Sequence, residues 1–514
     1  MTRSAGRSAA LVAAGILVSR LVGFVRERAF AHYFGNSAAA DAVRASLKIP
    51  NLIRNLLGEG TLSASFIPVY ARLLESDDPR AARALAGAVA SILLVASAAA
   101  ALLGIALAPA VTALVAPGFD PQTRQLTVTL VRIIFPGSGL LVLAAWCLGV
   151  LNTHRRFFLP YAAPALWNIA QIAVMVAAGA RLAGGDLAVW LAWGVLAGSL
   201  LQLVVQVPQA LKLSGVSGLT TSWRVRGVAD VLTAWTPVVI GAGVAQISSL
   251  VDTQLASLLP VGAVASLGYA QLLTNLPIAL FGVSVAASAL PELSREAAGA
   301  EVHEALRARL AEGFRRIVYF VLPSALGFAV IGQPLVRLLF QTGRFGERDT
   351  ALVAGVLAAY SVGLVGWATV KLFASGFYAL RDTRTPVVTA ASSVVISVVL
   401  SYLLMQRLGP AGIGLGASVA ALYNTTAQLT LLQRRIGRVL AAPDWRAAAL
   451  VLLAGVAALV PAVGAWYLVR GLGTVAVAAA AWTVFGLAFV GVTRAFGHPD
   501  AAPLVRLVTR RAAR

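Results

Sequence analysis

Apolar runs of about twenty residues recur along this chain, separated by short polar connections. They fall near 9–32, 41–72, 84–114, 123–152, 159–181, 186–211, 228–258, 264–293, 312–340, 350–379, 386–406, 412–433, 447–469 and 473–493. A helix of that length crosses the hydrocarbon core of a bilayer. The pattern therefore predicts an all-α polytopic membrane protein with about 14 transmembrane helices.

The polar positions between the runs carry a second pattern. Of the 41 Lys and Arg residues, 26 fall on one set of alternate connections and on the two tails. Six lie on the other set (Arg124, Arg181, Arg344, Arg348, Arg407 and Arg470), and nine lie within or at the edge of runs. Positive residues mark the cytoplasmic side of a membrane protein, so both termini are expected in the cytoplasm. A missed span would invert every later connection, so the regular alternation supports the count. On this reading the net charge of +21 is a topology signal, and nucleic acid is not expected as a partner. The opening MTRSAGR imitates a secretory signal. The stretch before Ser37-Ala38-Ala39-Ala40 is too long for one and is broken by arginines, so an uncleaved first helix is expected.

Composition narrows the chemistry. The chain is 59% hydrophobic and 12% charged, with only one cysteine, Cys147, so no intramolecular disulfide is available. Four scattered histidines show no metal-ligand spacing, and no phosphate-binding glycine loop of the ATPase kind occurs. No nucleophile or metal arrangement points to an enzyme. The segment Glu301 to Arg316 reads as a mixed-charge helix with an apolar stripe, expected on the cytoplasmic interface.

A weak duplication divides the chain. Pro68 and Pro291 each precede a basic residue by four positions and lie 223 apart; Pro160 and Pro386, each opening a run after arginine, lie 226 apart. Two six-helix lobes of like orientation, followed by a C-terminal pair of helices, account for both offsets. Parallel repeats of this kind are common in transporters. The expected organisation is an N-terminal lobe over 1–211, a cytoplasmic linker over 212–227, a C-terminal lobe over 228–438, and a last helix pair with a basic tail over 439–514.

The most unusual stretch is 16–68, where apolar runs hold Arg20, Arg26, Glu27, Arg28, Asp41, Arg44, Lys48, Arg54 and Glu59. Charges inside the hydrocarbon cost several kcal/mol each and mark a functional path. A planar, always-charged guanidinium suits a diphosphate, because it makes paired, charge-assisted hydrogen bonds. Arginines that snorkel to an interface are the bland alternative, strongest for Arg28.

The same stretch carries a resemblance. Ser19-Arg20-Leu-Val-Gly23-Phe24-Val-Arg26-Glu27, Ala40-Asp41-Ala42, Lys48-Ile-Pro50-Asn51-Leu-Ile-Arg54 and Glu59-Gly60-Thr-Leu-Ser63 resemble the MurJ/MviN lipid II flippases. So do Ala116-Pro117-Gly118-Phe119, Pro164 through Asn168, Gly343-Arg344-Phe345 and Gly376-Phe377-Tyr378-Ala379-Leu380-Arg381-Asp382-Thr383-Arg384-Thr385-Pro386. The likeness covers essentially the whole chain. It implies membership of the multidrug/oligosaccharidyl-lipid/polysaccharide exporter superfamily and transport of undecaprenyl-pyrophosphate-linked peptidoglycan precursor from the cytoplasmic to the outer leaflet by alternating access. A bacterial cytoplasmic membrane location, membrane lipids and the cell-wall synthesis machinery as partners are implied too.

The resemblance also implies roles for single residues. Arg20, Arg26 and Arg54 match cavity arginines and are expected to bind substrate, with Arg44 and Lys48 beside them. Asp41 matches a gate carboxylate; its simplest structural role is an ion pair with Arg44 or Lys48. Glu59 matches a family acid, with a packing hydrogen bond as the alternative. Lys371 has a counterpart that faces the cavity or forms a salt bridge. Asp252 resembles a sodium ligand, but its partner positions are the hydroxyls Ser397 and Ser401, so a packing or gating hydrogen bond stands beside the sodium reading. Membrane potential is a further candidate driving force, and no other cofactor is expected. The chain departs from the family at Tyr269-Ala270-Gln271-Leu272-Leu273, where an arginine is usual at Leu272. Arg44 is a candidate to restore that charge. Other readings are a flippase for another polyprenyl-linked glycan, a cation-coupled exporter, or a non-transporting scaffold of the cell-wall machinery.

Overall fold

The structure, a computed structural model, describes residues 2–76, 78–216, 218, 220, 222, 224–283 and 300–501. Every regular element among them is helical: α1 (Thr2–Phe34), α2 (Ala38–Ser46), α3 (Lys48–Leu57), α4 (Glu59–Glu75), α5 (Pro79–Ala106), α6 (Ala108–Val115), α7 (Pro121–Thr153), α8 (Phe158–Ala162), α9 (Pro164–Gly179) and α10 (Gly184–Val204). After α11 (Val207–Ser214), α12 (Val228–Ser257) and α13 (Ala263–Pro277) comes a π-helical stretch, Ile278–Val283. The remainder are α14 (Ala300–Phe340), α15 (Glu347–Ser361), α16 (Leu364–Ala379), α17 (Arg384–Leu408), α18 (Pro410–Ile436), α19 (Ala442–Leu468) and α20 (Thr474–Ala495).

Ten helical stretches among the described residues are long and apolar enough to cross a membrane, which makes this a multi-pass membrane protein. The other four runs of the sequence pattern correspond to α1, α2 to α4, α12 and α18. They are helical too, and α12 opens with the shorter apolar stretch Val228–Val239.

One predicted span is built differently. The run 41–72 forms three helices, broken at Leu47 and at Gly58. Pro50 has no N–H to give to the preceding turn. Gly58 takes φ −109° and ψ −123°, and a Cβ there would meet the Arg54 carbonyl oxygen at 2.4 Å. The breaks turn α3 into a short amphipathic helix, so its Arg54 need not lie in a continuous apolar rod.

Helix starts follow capping chemistry. Asp78 and Asp120 each precede a proline at the first helical position and accept from backbone N–H groups of the first turn (Asp78 from Ala81 at 3.0 Å, Asp120 from Gln122 at 3.0 Å).

The chain divides into two compact units: residues 1–265 with 342–345, and residues 266–341 with 346–514. In the first, Phe66 and Tyr70 stack 5.0 Å apart and pack with Leu85, Val89, Val142 and Trp146. Trp146 donates to the Ala86 carbonyl at 3.1 Å, and Tyr70 meets His154 at 3.1 Å. In the second unit, α18 lies close on α17 through Gly412 and Gly416, four residues apart. A Cβ on either would come within 2.4 Å of the facing helix. Small residues at this spacing let membrane helices touch backbone to backbone.

The duplication has a structural mark. Arg155 (φ 58°) and Arg381 (φ 59°) are the non-glycine residues with positive φ among those described, and they lie 226 positions apart. Each follows the end of a helix and is held by the same pair of bonds. Arg156 N–H donates to the Leu151 carbonyl at 2.8 Å, and Asp382 N–H donates to that of Phe377 at 2.9 Å. A left-handed arginine costs about 1 kcal/mol or more, so its recurrence at the repeat offset is no accident of composition. Pro291, the partner of Pro68, and the basic tail beyond 501 lie outside the described residues.

Candidate functional site

A cavity of about 310 Å³ opens within the first unit. Ser19 and Arg20 of α1 line it, as do Arg54 of α3, Tyr161 of α8, Trp167 and Asn168 of α9, Gln202 of α10 and Gln206. Two guanidiniums, three amides, the Ser19 and Tyr161 hydroxyls and two aromatic rings converge there. Its floor is apolar, from Ala144, Ala145 and Leu148 of α7. Close helix packing shapes the wall. A Cβ at Gly15 would stand 2.9 Å from that of Tyr161, and one at Gly23 would stand 3.6 Å from the Asn168 amide.

Arg26 joins this wall from behind. Its guanidinium lies over the Trp167 ring, 4.9 Å from the centroid, a cation–π contact. It also donates to Glu27. Glu27 is the hub of the charged stretch: its side chain is 4% exposed, and it accepts from both Arg26 and Arg44. Arg44 reaches it with two nitrogens, one at 3.2 Å, and places its guanidinium 4.6 Å over the Phe30 ring. The buried carboxylate thus holds two arginines, each also against an aromatic face. The triad Arg26, Glu27 and Arg44 carries a net charge of +1.

Asp41 corrects the sequence expectation. Among the described residues it pairs with neither Arg44 nor Lys48. Its carboxylate is buried and accepts from the backbone N–H groups of Gly262 at 2.6 Å and Ala265 at 2.7 Å, at the start of α13. First-turn N–H groups have no helical acceptor of their own, and a helix N-terminus favours negative charge. Arg44, meanwhile, is drawn to Glu27. The Gly262 turn (φ +94°) is close: a Cβ there would meet the Asn36 carbonyl oxygen at 2.6 Å.

Lys48 donates to Ser249 Oγ of α12 at 3.0 Å. Asp252 lies buried one helical turn further on. In the second unit, Ser401 donates to the Ile413 carbonyl at 3.2 Å and Ser397 is buried. Among the described residues no group of three or more His, Cys, Asp or Glu could hold a metal ion. Lys371 is exposed on α16, Leu272 is partly buried on α13, and the Glu59 side chain lies outside the described residues.

Sequence reasoning named the arginines but passed over Glu27 as their organiser and over Tyr161, Trp167, Gln202 and Gln206 as cavity lining. Glu27 carried a readable signal: an acid in an apolar run beside an arginine is expected to be paired. The amides carried none, because a glutamine in a membrane helix serves packing as often as binding.

Comparisons with known proteins bear on the family and the fold. The family model described as lipid II flippase MurJ matches residues 30–486. The lipid II flippase MurJ of Burkholderia cenocepacia is 37% identical over 435 residues, covering 84% of each chain. A probable lipid II flippase MurJ of Rhizobium meliloti is 35% identical over 429 residues, 81% of this chain and 78% of that one. Among solved structures, a lipid II flippase MurJ in an inward closed conformation superposes with a TM-score of 0.79 at 22% identity, covering 95% of this chain and 98% of that one. An inward-facing multidrug resistance transporter of the MATE family follows at 0.66 and 16%, over 82% and 95%. These two likenesses concern the fold. On the matched family model and the sequence relatives, the chain belongs to the MurJ lipid II flippase family.

Proposed function

We propose that this protein moves lipid II across a bacterial cytoplasmic membrane, from the cytoplasmic to the outer leaflet, by alternating access. It acts as a transporter, breaking no bond. The observation that carries the reading is the cavity in the first unit, with Arg20 and Arg54 on its wall and Arg26 behind Trp167. A pyrophosphate–sugar head group is anionic, large and rich in hydroxyls. Crossing hydrocarbon, it needs fixed cations for the diphosphate and amides and aromatic rings for the sugars, and this lining supplies each. Guanidiniums stay protonated at any physiological pH and bind phosphate oxygens in pairs. A cavity of this sign repels cationic drugs, which counts against an exporter.

Asp41 supports the reading as a gate residue, because it ties α2 to the start of α13 through two short bonds that a conformational change would break. Asp252, buried one turn beyond the Ser249 that Lys48 contacts, is the candidate coupling residue, through a sodium ion or a gating hydrogen bond. Membrane potential supplies work in proportion to the charge moved, about 2.3 kcal/mol per elementary charge per 100 mV. Membrane lipids surround the exposed apolar faces, and synthases of cell-wall glycan are the partners this activity calls for.

The test is rescue of a bacterium depleted of its own lipid II flippase, with the wild-type gene and an Arg20/Arg26/Arg54→Ala form. Rescue by wild type alone is expected. Rescue by both sinks the cationic cavity. A scaffold reading, favoured by Leu272 standing where the family has an arginine, predicts that the triple variant is tolerated.

A further inference from the structure

A second cavity, of about 180 Å³, lies in the other unit, where the C-terminal helix pair meets α14. Its polar lining comes from Gln333 and Arg337 of α14, Trp466 of α19, Arg470, and Thr474 at the start of α20. None of these residues belongs to the site described above.

Three features of the chain build it. Pro334 cannot donate to the turn before it, and α14 bends at Ile331 (φ −112°, ψ 24°). The bend turns the last segment of α14, with Arg337, away from the line of the helix. The loop between α19 and α20 is a tight glycine turn, with Gly473 at φ +96°. Gly473 caps α20 without a side-chain acceptor, leaving first-turn N–H groups beside the cavity. Arg470 makes no ion pair among the described residues. Arg337 has one acid near it, Glu347 at 3.9 Å, with both side chains well exposed.

The surroundings place this cavity at a membrane surface. Trp466 and Tyr467 stack 5.8 Å apart, and aromatic pairs of this kind sit at the head-group level of bilayers. Beyond them Leu468 is 86% exposed and Leu472 73% exposed. Such exposure of leucine beside arginine is costly in water and natural where acyl chains meet head groups. The charge pattern puts this face on the outward side, because Arg470 belongs to the sparse set of cations there.

We propose that this cavity binds the phosphate of an anionic lipid head group in the outer leaflet, with Arg337 and Arg470 as the cationic clamp and the lipid chains lying along the exposed leucines. Two guanidiniums from different helices match the oxygens of one phosphate, and the α20 N-terminus adds to them. The volume holds a phosphate with a few waters. Bound there, the lipid joins α14 to the C-terminal helices. The proposal does not depend on the transport reading.

Two lipids offer this chemistry: a glycerophospholipid and a polyprenyl diphosphate. Native mass spectrometry of the full-length protein in detergent, titrated separately with phosphatidylglycerol and undecaprenyl diphosphate, distinguishes them. Arg337→Gln/Arg470→Gln is expected to weaken the tightest phosphatidylglycerol site roughly tenfold or more, and Arg407→Gln to leave it unchanged. Loss confined to undecaprenyl diphosphate keeps the phosphate site and names the other source. Equal binding of both lipids by variant and wild type overturns the site. Should the double variant not fold, wild-type protein is photolabelled with a diazirine-bearing phosphatidylglycerol. Labelling of peptides containing residues 333–337 or 466–477 is then the supporting result, and labelling solely elsewhere the refuting one.

Discussion

Glu27 offers the sharpest test of how the charged stretch is held together. Its side chain is 4% exposed, while those of Arg26 and Arg44 are 19% exposed, so all three are largely withdrawn from water. Replacing Glu27 by Gln keeps the shape and one acceptor oxygen but leaves two desolvated guanidiniums without their shared counter-charge. Removing one partner of a buried ion pair typically costs about 3–5 kcal/mol. The aromatic faces of Trp167 and Phe30 stay in place and offset roughly 0.5–2 kcal/mol at most. The expected result is a clear fall in the apparent melting temperature of the purified protein in detergent. Arg44→Gln on its own also destabilises, by leaving Glu27 with one partner. Combined with Glu27→Gln it should cost less than the sum of the two, with a coupling of roughly 1–3 kcal/mol. Additive effects, or a Glu27→Gln protein that melts with the wild type, would refute the shared-carboxylate account.

Three further perturbations follow from other parts of the fold. Asp41→Asn keeps one acceptor and turns an amide N–H₂ toward a backbone N–H, losing about 1.5–3 kcal/mol; faster hydrogen exchange at Gly262 and Ala265 is expected, and unchanged exchange counts against the cap. Gly416→Ala puts a methyl 2.4 Å from Ser401 Oγ and 2.5 Å from its backbone nitrogen. It should destabilise by roughly 1–3 kcal/mol, whereas Gly464→Ala, with open space around its Cβ, should not; equal melting of the two variants removes the close-packing argument. Asp382, in the turn before α17, accepts from the Thr385 hydroxyl at 2.6 Å and pairs with Arg435 at 2.5 Å. The Thr385 bonds first, and the Arg435 charge after them, hold its carboxyl below the usual range. A depressed folded value contributes stability above the unfolded pKa near about 4, lost as pH falls through the folded value. Wild type should therefore lose stability on acidification more steeply than Asp382→Asn, and parallel pH profiles would contradict it.

The helical class was readable because the bilayer removes every alternative: backbone groups there must be satisfied within a helix, and the apolar run length reports it. The offset of 226 read from Pro160 and Pro386 recurs between the left-handed arginines at 155 and 381. The same costly turn is required twice, and its sequence neighbourhood follows. The break of 41–72 into three helices was hidden, because Pro50 and Gly58 are both tolerated in continuous membrane helices. Partner choice was the least readable part. Asp41 and Arg44 at helical spacing look like an ion pair. The outcome rests on Gly262 and Glu27, 221 and 17 residues away in the chain, whose claims on each side chain only the fold brings to bear.

That exchange of partners changes what Arg44 does for the charge of the molecule. The resemblance implies an arginine at position 272, where this chain has Leu272. Arg44 does not replace it by lining the cavity, since Arg20 and Arg54 line it and Arg44 is turned to Glu27. Its effect is indirect: with Arg44 present the triad sums to +1, and without it Arg26 and Glu27 cancel. Arg44→Ala thus subtracts the same unit of charge as Arg54→Ala, one from the Glu27 cluster and the other from the cavity wall itself. Rescue of a flippase-depleted strain should fail comparably for both. Arg44→Lys, which keeps the charge but loses the two-nitrogen contact with Glu27, should retain more function than Arg44→Ala. Full rescue by Arg44→Ala would show that the arginine serves packing alone.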